Sequence, residues 1–194
     1  MPEEAATPSQ DRFVESMRQS GAWLASWESG ELSDEVLADR VAGLVTERDG
    51  ARGFFVVAMT SEIPLLDRQP EVLLVALRQA GNTVVDLTVR NLVMSSAMTV
   101  HHARHEDRAQ LEGSQRVQRR AWELLGQLQP EQVLRRLEPM LAATRFKAEH
   151  KEETSASGLP EAVIDDLGML RRWGYDQEQL LAIRQALEQL ADLS

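Results

Sequence analysis

The chain has 194 residues, 43% of them hydrophobic, with 31 acids against 21 bases and no cysteine. This composition excludes collagen-like, low-complexity and fully disordered chains, and a chain of this length buries enough surface to fold without a metal or disulfide staple. Disulfides, thiol catalysis, thiolate zinc sites and iron–sulfur clusters are excluded with the cysteines, and a net charge of −10 argues against a general role on nucleic acid or anionic membranes.

The first residues, MPEEAATPSQ, are acidic and polar where a signal peptide is basic and then apolar. The longest apolar runs, Phe54 to Met59 and Val72 to Leu77, are too short to span a bilayer, so the expectation is a cytoplasmic protein without membrane insertion. Residues 1–8 read as a flexible N-terminal tail, 9–146 as a main helical domain, 147–158 as a linker and 159–194 as a C-terminal helical hairpin.

Helix signals follow one another along the chain. Phe13, Met17, Leu24 and Trp27 recur at helical spacing between Pro8 and Gly30. Ser33 followed by Asp34 and Glu35 is an N-cap with acids in the first turn, and Val36, Leu37, Val41, Leu44 and Val45 form a stripe that Asp49-Gly50 is expected to end. Residues 53–60 are ambiguous between helix and strand, because Phe54 to Val57 are aromatic and β-branched while Asp49 is available as a cap. Pro70, Pro130 and Pro160 mark first helical positions, each followed by Glu, and Gly81 and Gly174 mark left-handed helix ends. Thr83 with Asp86, and Asp176 with Gln179, have the spacing of capping boxes.

From Val84 to Val100 nearly every face of the helix carries an apolar residue, which predicts a buried hub. Asn91, Ser95, Ser96 and Thr99 are embedded in it, and the hydroxyls are expected to bond the carbonyl four residues back. The resulting fold is all-α: a helical bundle of about seven helices around a central buried helix (83–110), with a C-terminal helical hairpin. In that hairpin Leu180, Ile183, Leu187 and Leu190 make a 3-4-3 seam that two short helices cannot bury alone, so it must dock on the main domain or on another chain. Asp165 and Asp166 face no evident partner and read as surface.

Three residue groups carry chemistry. His101 and His105 share a helix face and His102 and Glu106 an adjacent one, a spacing at which imidazoles clamp a divalent metal with a carboxylate completing the set, or at which clustered histidines sense pH. The segment lacks the H-E-x-x-H of zincins and the paired E-x-x-H of di-iron bundles, so the plain alternative is the solvated end of a helix. Arg116, Arg119 and Arg120, with Arg135 and Arg136 on the next helix, are either paired with nearby acids such as Glu112 and Glu123 or form a docking face for an acidic protein. Trp23, Trp27, Trp173 and Tyr175 are residue types that serve either a core or an interface.

No phosphate-binding glycine loop, G-x-S-x-G nucleophile or serine near a histidine base is present in the sequence. The leading expectation is a non-enzymatic interaction, regulatory or adaptor protein that binds a protein partner, or a second copy of itself, through Arg116, Arg119, Arg120, Trp173, Tyr175, Leu180, Ile183 and Leu187. It needs no cofactor and no nucleic acid. The alternatives are a helical protein, enzyme included, that holds a divalent metal or small ligand at His101, His102, His105 and Glu106, and a structural subunit of a larger assembly.

Overall fold

The computed structural model describes residues 8–150 and 155–193; all but the last residue of the expected tail, and residues 151–154 of the expected linker, lie outside them. Among the described residues there are ten α-helices and no strand: α1 Pro8–Glu28, α2 Asp34–Val45, α3 Arg48–Thr60, α4 Leu65–Arg68, α5 Glu71–Ala80, α6 Asn82–Arg104, α7 Arg108–Gln127, α8 Pro130–Glu149, α9 Glu161–Trp173 and α10 Gln177–Leu193. The fold is therefore all-α. It divides into two compact units, Met1–Thr88 and Val89–Ser194.

In the first unit α1 lies along α3, and α2 packs on α5 and α3. The ambiguous stretch 53–60 is helix, part of α3, and α1 covers one of its faces closely enough to need a small residue at the crossing. A Cβ on Gly53 would stand 2.5 Å from Ser16 Cβ and 2.9 Å from the backbone nitrogen of Met17, so glycine is what lets the two helices meet. Phe54 and Phe55 are fully buried beside this crossing and pack edge to face, with ring centroids 5.3 Å apart.

Ser33 caps α2 as expected, its hydroxyl accepting from the Val36 N–H at 3.4 Å. The stripe Leu37, Val41, Val45 is buried, whereas Val36 is exposed. The helix ends at Val45 rather than at Asp49-Gly50, and Asp49 lies inside α3, where its carboxylate accepts from Ser9 and Arg52 instead of capping. Trp27 is buried with its indole N–H on Asp34 at 2.6 Å, while Trp23 is half-buried under Arg40. Pro70 and Pro160 sit at the cap, one residue before the helical start predicted for them, and Pro130 is the first residue of α8.

Gly81 alone separates α5 from α6. It takes a positive φ of 63°, and its carbonyl accepts the first bonds of α6 from Val84 and Val85, so Thr83 is already inside the helix and does not cap it. The embedded hydroxyls behave as expected: Ser95 and Ser96 donate to the carbonyls of Asn91 and Leu92, both at 2.7 Å, and Thr99 to that of Ser95 at 2.9 Å.

The buried helix stops at Arg104, short of the predicted residue 110, because Glu106 turns left-handed with φ 54°. The Asp107 N–H reaches the carbonyl of His102 and the Glu106 N–H that of Ala103, the paired bonds of a Schellman ending. Asp107 then caps α7, accepting from the Gln110 N–H at 3.1 Å.

In the second unit α8 packs against both α9 and α10, and α10 also touches α7. α8 runs on through Glu149, taking in the first three residues of the expected linker, with Lys147 buried. The C-terminal hairpin is α9 and α10, joined through Gly174 in the left-handed conformation. Its seam residues Leu180, Ile183, Leu187 and Leu190 are all buried.

Candidate functional site

The groove between α7 and α10 brings together chemistry-bearing side chains from both helices. α7 turns Val117, Ala121 and Leu124 inward, which sends Gln115, Gln118, Arg119 and Trp122 along the opposite flank. The buried seam of α10 likewise leaves Ala182, Gln185, Ala186 and Gln189 facing α7. Together these residues line an open hollow of about 410 Å³. Trp122 also borders a second hollow of about 330 Å³, reaching Leu128, Pro130 and Leu190 at the α7–α8 corner.

The groove's floor is fixed by hydrogen bonds. Gln118 Nε2 donates to Ser96 Oγ at 3.0 Å, and that hydroxyl donates in turn to the carbonyl of Leu92. At the start of α10, Asp176 and Gln179 form the predicted capping box: the Asp176 carboxylate accepts from the N–H groups of Glu178 and Gln179 at 3.0 Å, and Gln179 Oε1 accepts from the Asp176 N–H at 3.1 Å. Gln179 does a second task, its Nε2 donating to the carbonyl of Ala97 at 3.1 Å, so the cap also ties α10 to α6. Arg104 spans Asp176 and Glu178 from the end of α6. That guanidinium, before the backbone N–H of Gln179, holds the Asp176 carboxyl down at about 2.

The sequence-predicted docking residues divide sharply. Leu180, Ile183 and Leu187 are spent on the interior, and Tyr175 is buried against Trp173, with burial pushing its hydroxyl above the usual phenol range. Arg120 is 1% exposed and belongs to the core of α7. Arg119 lines the groove, Arg116 is half-buried, and Trp173 is 39% exposed at the hairpin tip. Trp122, Gln185 and Gln189 were not singled out for docking. Their signal was present as the polar complement of two apolar stripes, which becomes a site only when α7 and α10 lie side by side.

Asp166, read as surface, is instead 1% exposed, and Asp165 beside it is exposed. The Asp166 carboxylate takes a two-pronged grip from Arg136, both N–H···O distances being 2.7 Å, and Arg90 approaches to 3.7 Å. Arg136 is thereby a structural partner of α9 and no part of an open arginine face.

The histidine cluster sits at the last turn of α6. The rings of His101 and His105 are 4.3 Å apart, those of His101 and His102 are 5.3 Å apart, and His105 Nδ1 donates to the His101 carbonyl at 2.7 Å. Glu106 has left the helix through its left-handed turn, so it does not share the face of His102 as helical spacing would require. Among the described residues no group of three His, Cys, Asp or Glu is placed to hold a metal ion.

These observations define an all-helical protein whose second unit displays an amide-, arginine- and tryptophan-lined groove. The chain belongs to the family described as uncharacterised conserved protein UCP020893, which it matches over residues 12–190. No curated protein and no solved structure matches it. No single helix among the described residues is long and apolar enough to cross a membrane.

Proposed function

We propose that this protein is a non-enzymatic interaction module that binds a protein partner in the groove between α7 and α10. The observation that carries the reading is the lining itself: Trp122 and Arg119, side-chain types enriched at binding hot spots, stand across from the amides of Gln185 and Gln189 in an open hollow of about 410 Å³. An open groove with amides on both walls suits a protein surface, because each amide offers both donors and an acceptor to a partner's backbone. The seam of the hairpin contributes by placing α10 beside α7, not by contacting the partner.

A photo-crosslinking side chain placed at Gln115 or Gln185 in living cells tests this. The expected result is one discrete heavier species at both positions, lost in an Arg119→Glu, Trp122→Ala variant that retains its helical circular dichroism. The same pattern of products from a control position on α5, Gln79, or a species indifferent to the variant, overturns the proposal.

A further inference from the structure

The outer face of α8 carries a second surface with a different logic. Leu134, Glu138, Leu141 and Arg145 follow one another at 4-3-4 spacing, which sets them in a single line along the helix at the period of a coiled-coil seam. Leu134 is 39% exposed, Glu138 and Ala142 are exposed and Leu141 is half-buried, so α9 and α10 leave most of this line open. Together with Ala191 these residues edge a hollow of about 390 Å³ between α8 and α10. Arg145 reaches Glu188 of α10 at 2.8 Å through one nitrogen, and its side chain is 53% exposed.

We propose that this face binds a second copy of the chain, α8 against α8 in antiparallel orientation. The occupant follows from charge order. A parallel copy sets Glu138 against Glu138 and Arg145 against Arg145, two like-charge clashes. An antiparallel copy sets Glu138 beside Arg145 of the other chain, twice by symmetry, with Leu141 and Ala142 of both chains meeting large against small at the two-fold axis. A self-complementary patch of this kind is what an isologous interface requires. Arg145 then grips two carboxylates, Glu188 of its own chain and Glu138 of the other, as Arg104 already does with Asp176 and Glu178.

The seam from Leu134 to Arg145 is 12 residues, or about 18 Å of helix, and its apolar part is small, so the interface falls at the low end of specific contacts and the dimer is weak, with a Kd of about 10–100 μM. This surface is separate from the α7–α10 groove, and its test does not depend on what occupies that groove.

Sedimentation equilibrium of the full chain over a hundredfold concentration range around that value is the test. The wild type is expected to rise from its monomer mass of 21.8 kDa toward twice that. Glu138→Arg and Arg145→Glu are each expected to weaken association at least tenfold, and their combination with Glu188→Gln, which removes the carboxylate that the new acid at position 145 would face, to recover most of it, because the exchanged charges then remain complementary. Both side chains are well exposed, so unchanged circular dichroism is expected for all three. A mass constant at the monomer value throughout, a dimer indifferent to the single variants, or a combined variant as weak as the singles would each overturn the proposal.

Discussion

Replacing Asp166 by Asn keeps the shape of the side chain and removes its charge, and it should be among the costliest single changes in the second unit. The carboxylate is 1% exposed and accepts two charge-assisted bonds from Arg136, with Arg90 also close. An amide retains one acceptor, so one Arg136 N–H keeps its bond while the other faces an NH₂ group, and Arg136 and Arg90 lose the carboxylate charge they share. Removing one member of a buried pair typically costs about 3–5 kcal/mol. Arg136 and Arg90 are 17% and 27% exposed, so water softens the loss, and about 2–4 kcal/mol is the working figure. With a urea dependence near 2 kcal/mol per molar, the unfolding midpoint followed by circular dichroism should fall by about 1–2 M. A double variant, Arg136→Met with Asp166→Leu, should lose less than Asp166→Asn alone, since the apolar pair leaves less charge uncompensated. A midpoint within about 0.3 M of wild type for Asp166→Asn would mean instead that the pair is solvated in solution.

Gln179→Glu should destabilise the protein by about 1–3 kcal/mol in the same urea assay, because a carboxylate can still cap Asp176 but sets negative charge against the Ala97 carbonyl that Gln179 now donates to. Glu106→Gly should stabilise by about 0.5–1 kcal/mol, since the φ of 54° strains a residue with a Cβ and suits glycine; a loss of stability would show that the Glu106 side chain contributes something the turn does not. Gly53→Ala should cost about 1–3 kcal/mol despite alanine's better helix propensity, because its Cβ would stand 2.5 Å from Ser16 Cβ; a neutral result in thermal melts would mean that α1 yields freely. For Asp176, held at about 2 in the folded chain against about 3.9 when unfolded, the contribution is fully present above pH 4 and is lost as pH falls toward 2. Arg104→Gln should therefore flatten stability against pH in that window and leave it unchanged in slope between pH 5 and 7.

What could be read from the chain depended on whether a physical signal was local. The Ser33 cap, the Asp176–Gln179 box and the self-bonding hydroxyls of α6 are set by residues within four positions of one another, and each is found as expected. The end of α6 was not readable because its left-handed residue is Glu106, where a glycine or asparagine would have announced the turn. The α2–α3 boundary was misplaced for the converse reason: Asp49-Gly50 looks like a break, yet Gly50 is buried within α3 and a Cβ there would meet the Leu44 carbonyl at 2.2 Å. That glycine answers a tertiary approach, which no local pattern displays.

The two misjudged charges share a rule that links the fold to the site. Asp166 falls three residues after Val163 and four before Leu170, and Arg120 falls three after Val117 and four before Leu124, so both occupy the inward position of an apolar stripe. Counting charge type alone placed them on the surface; counting position places them inside. Once Arg120 is assigned to the core, the helix surface that remains available on α7 rotates by about one residue, from an arginine cluster to the line Gln115, Gln118, Arg119, Trp122. The same correction on α10 exchanges the leucine seam for Gln185 and Gln189. Burying the charges and the leucines thus moves the candidate site without dissolving it, and leaves a groove whose chemistry is that of amides, one arginine and one tryptophan.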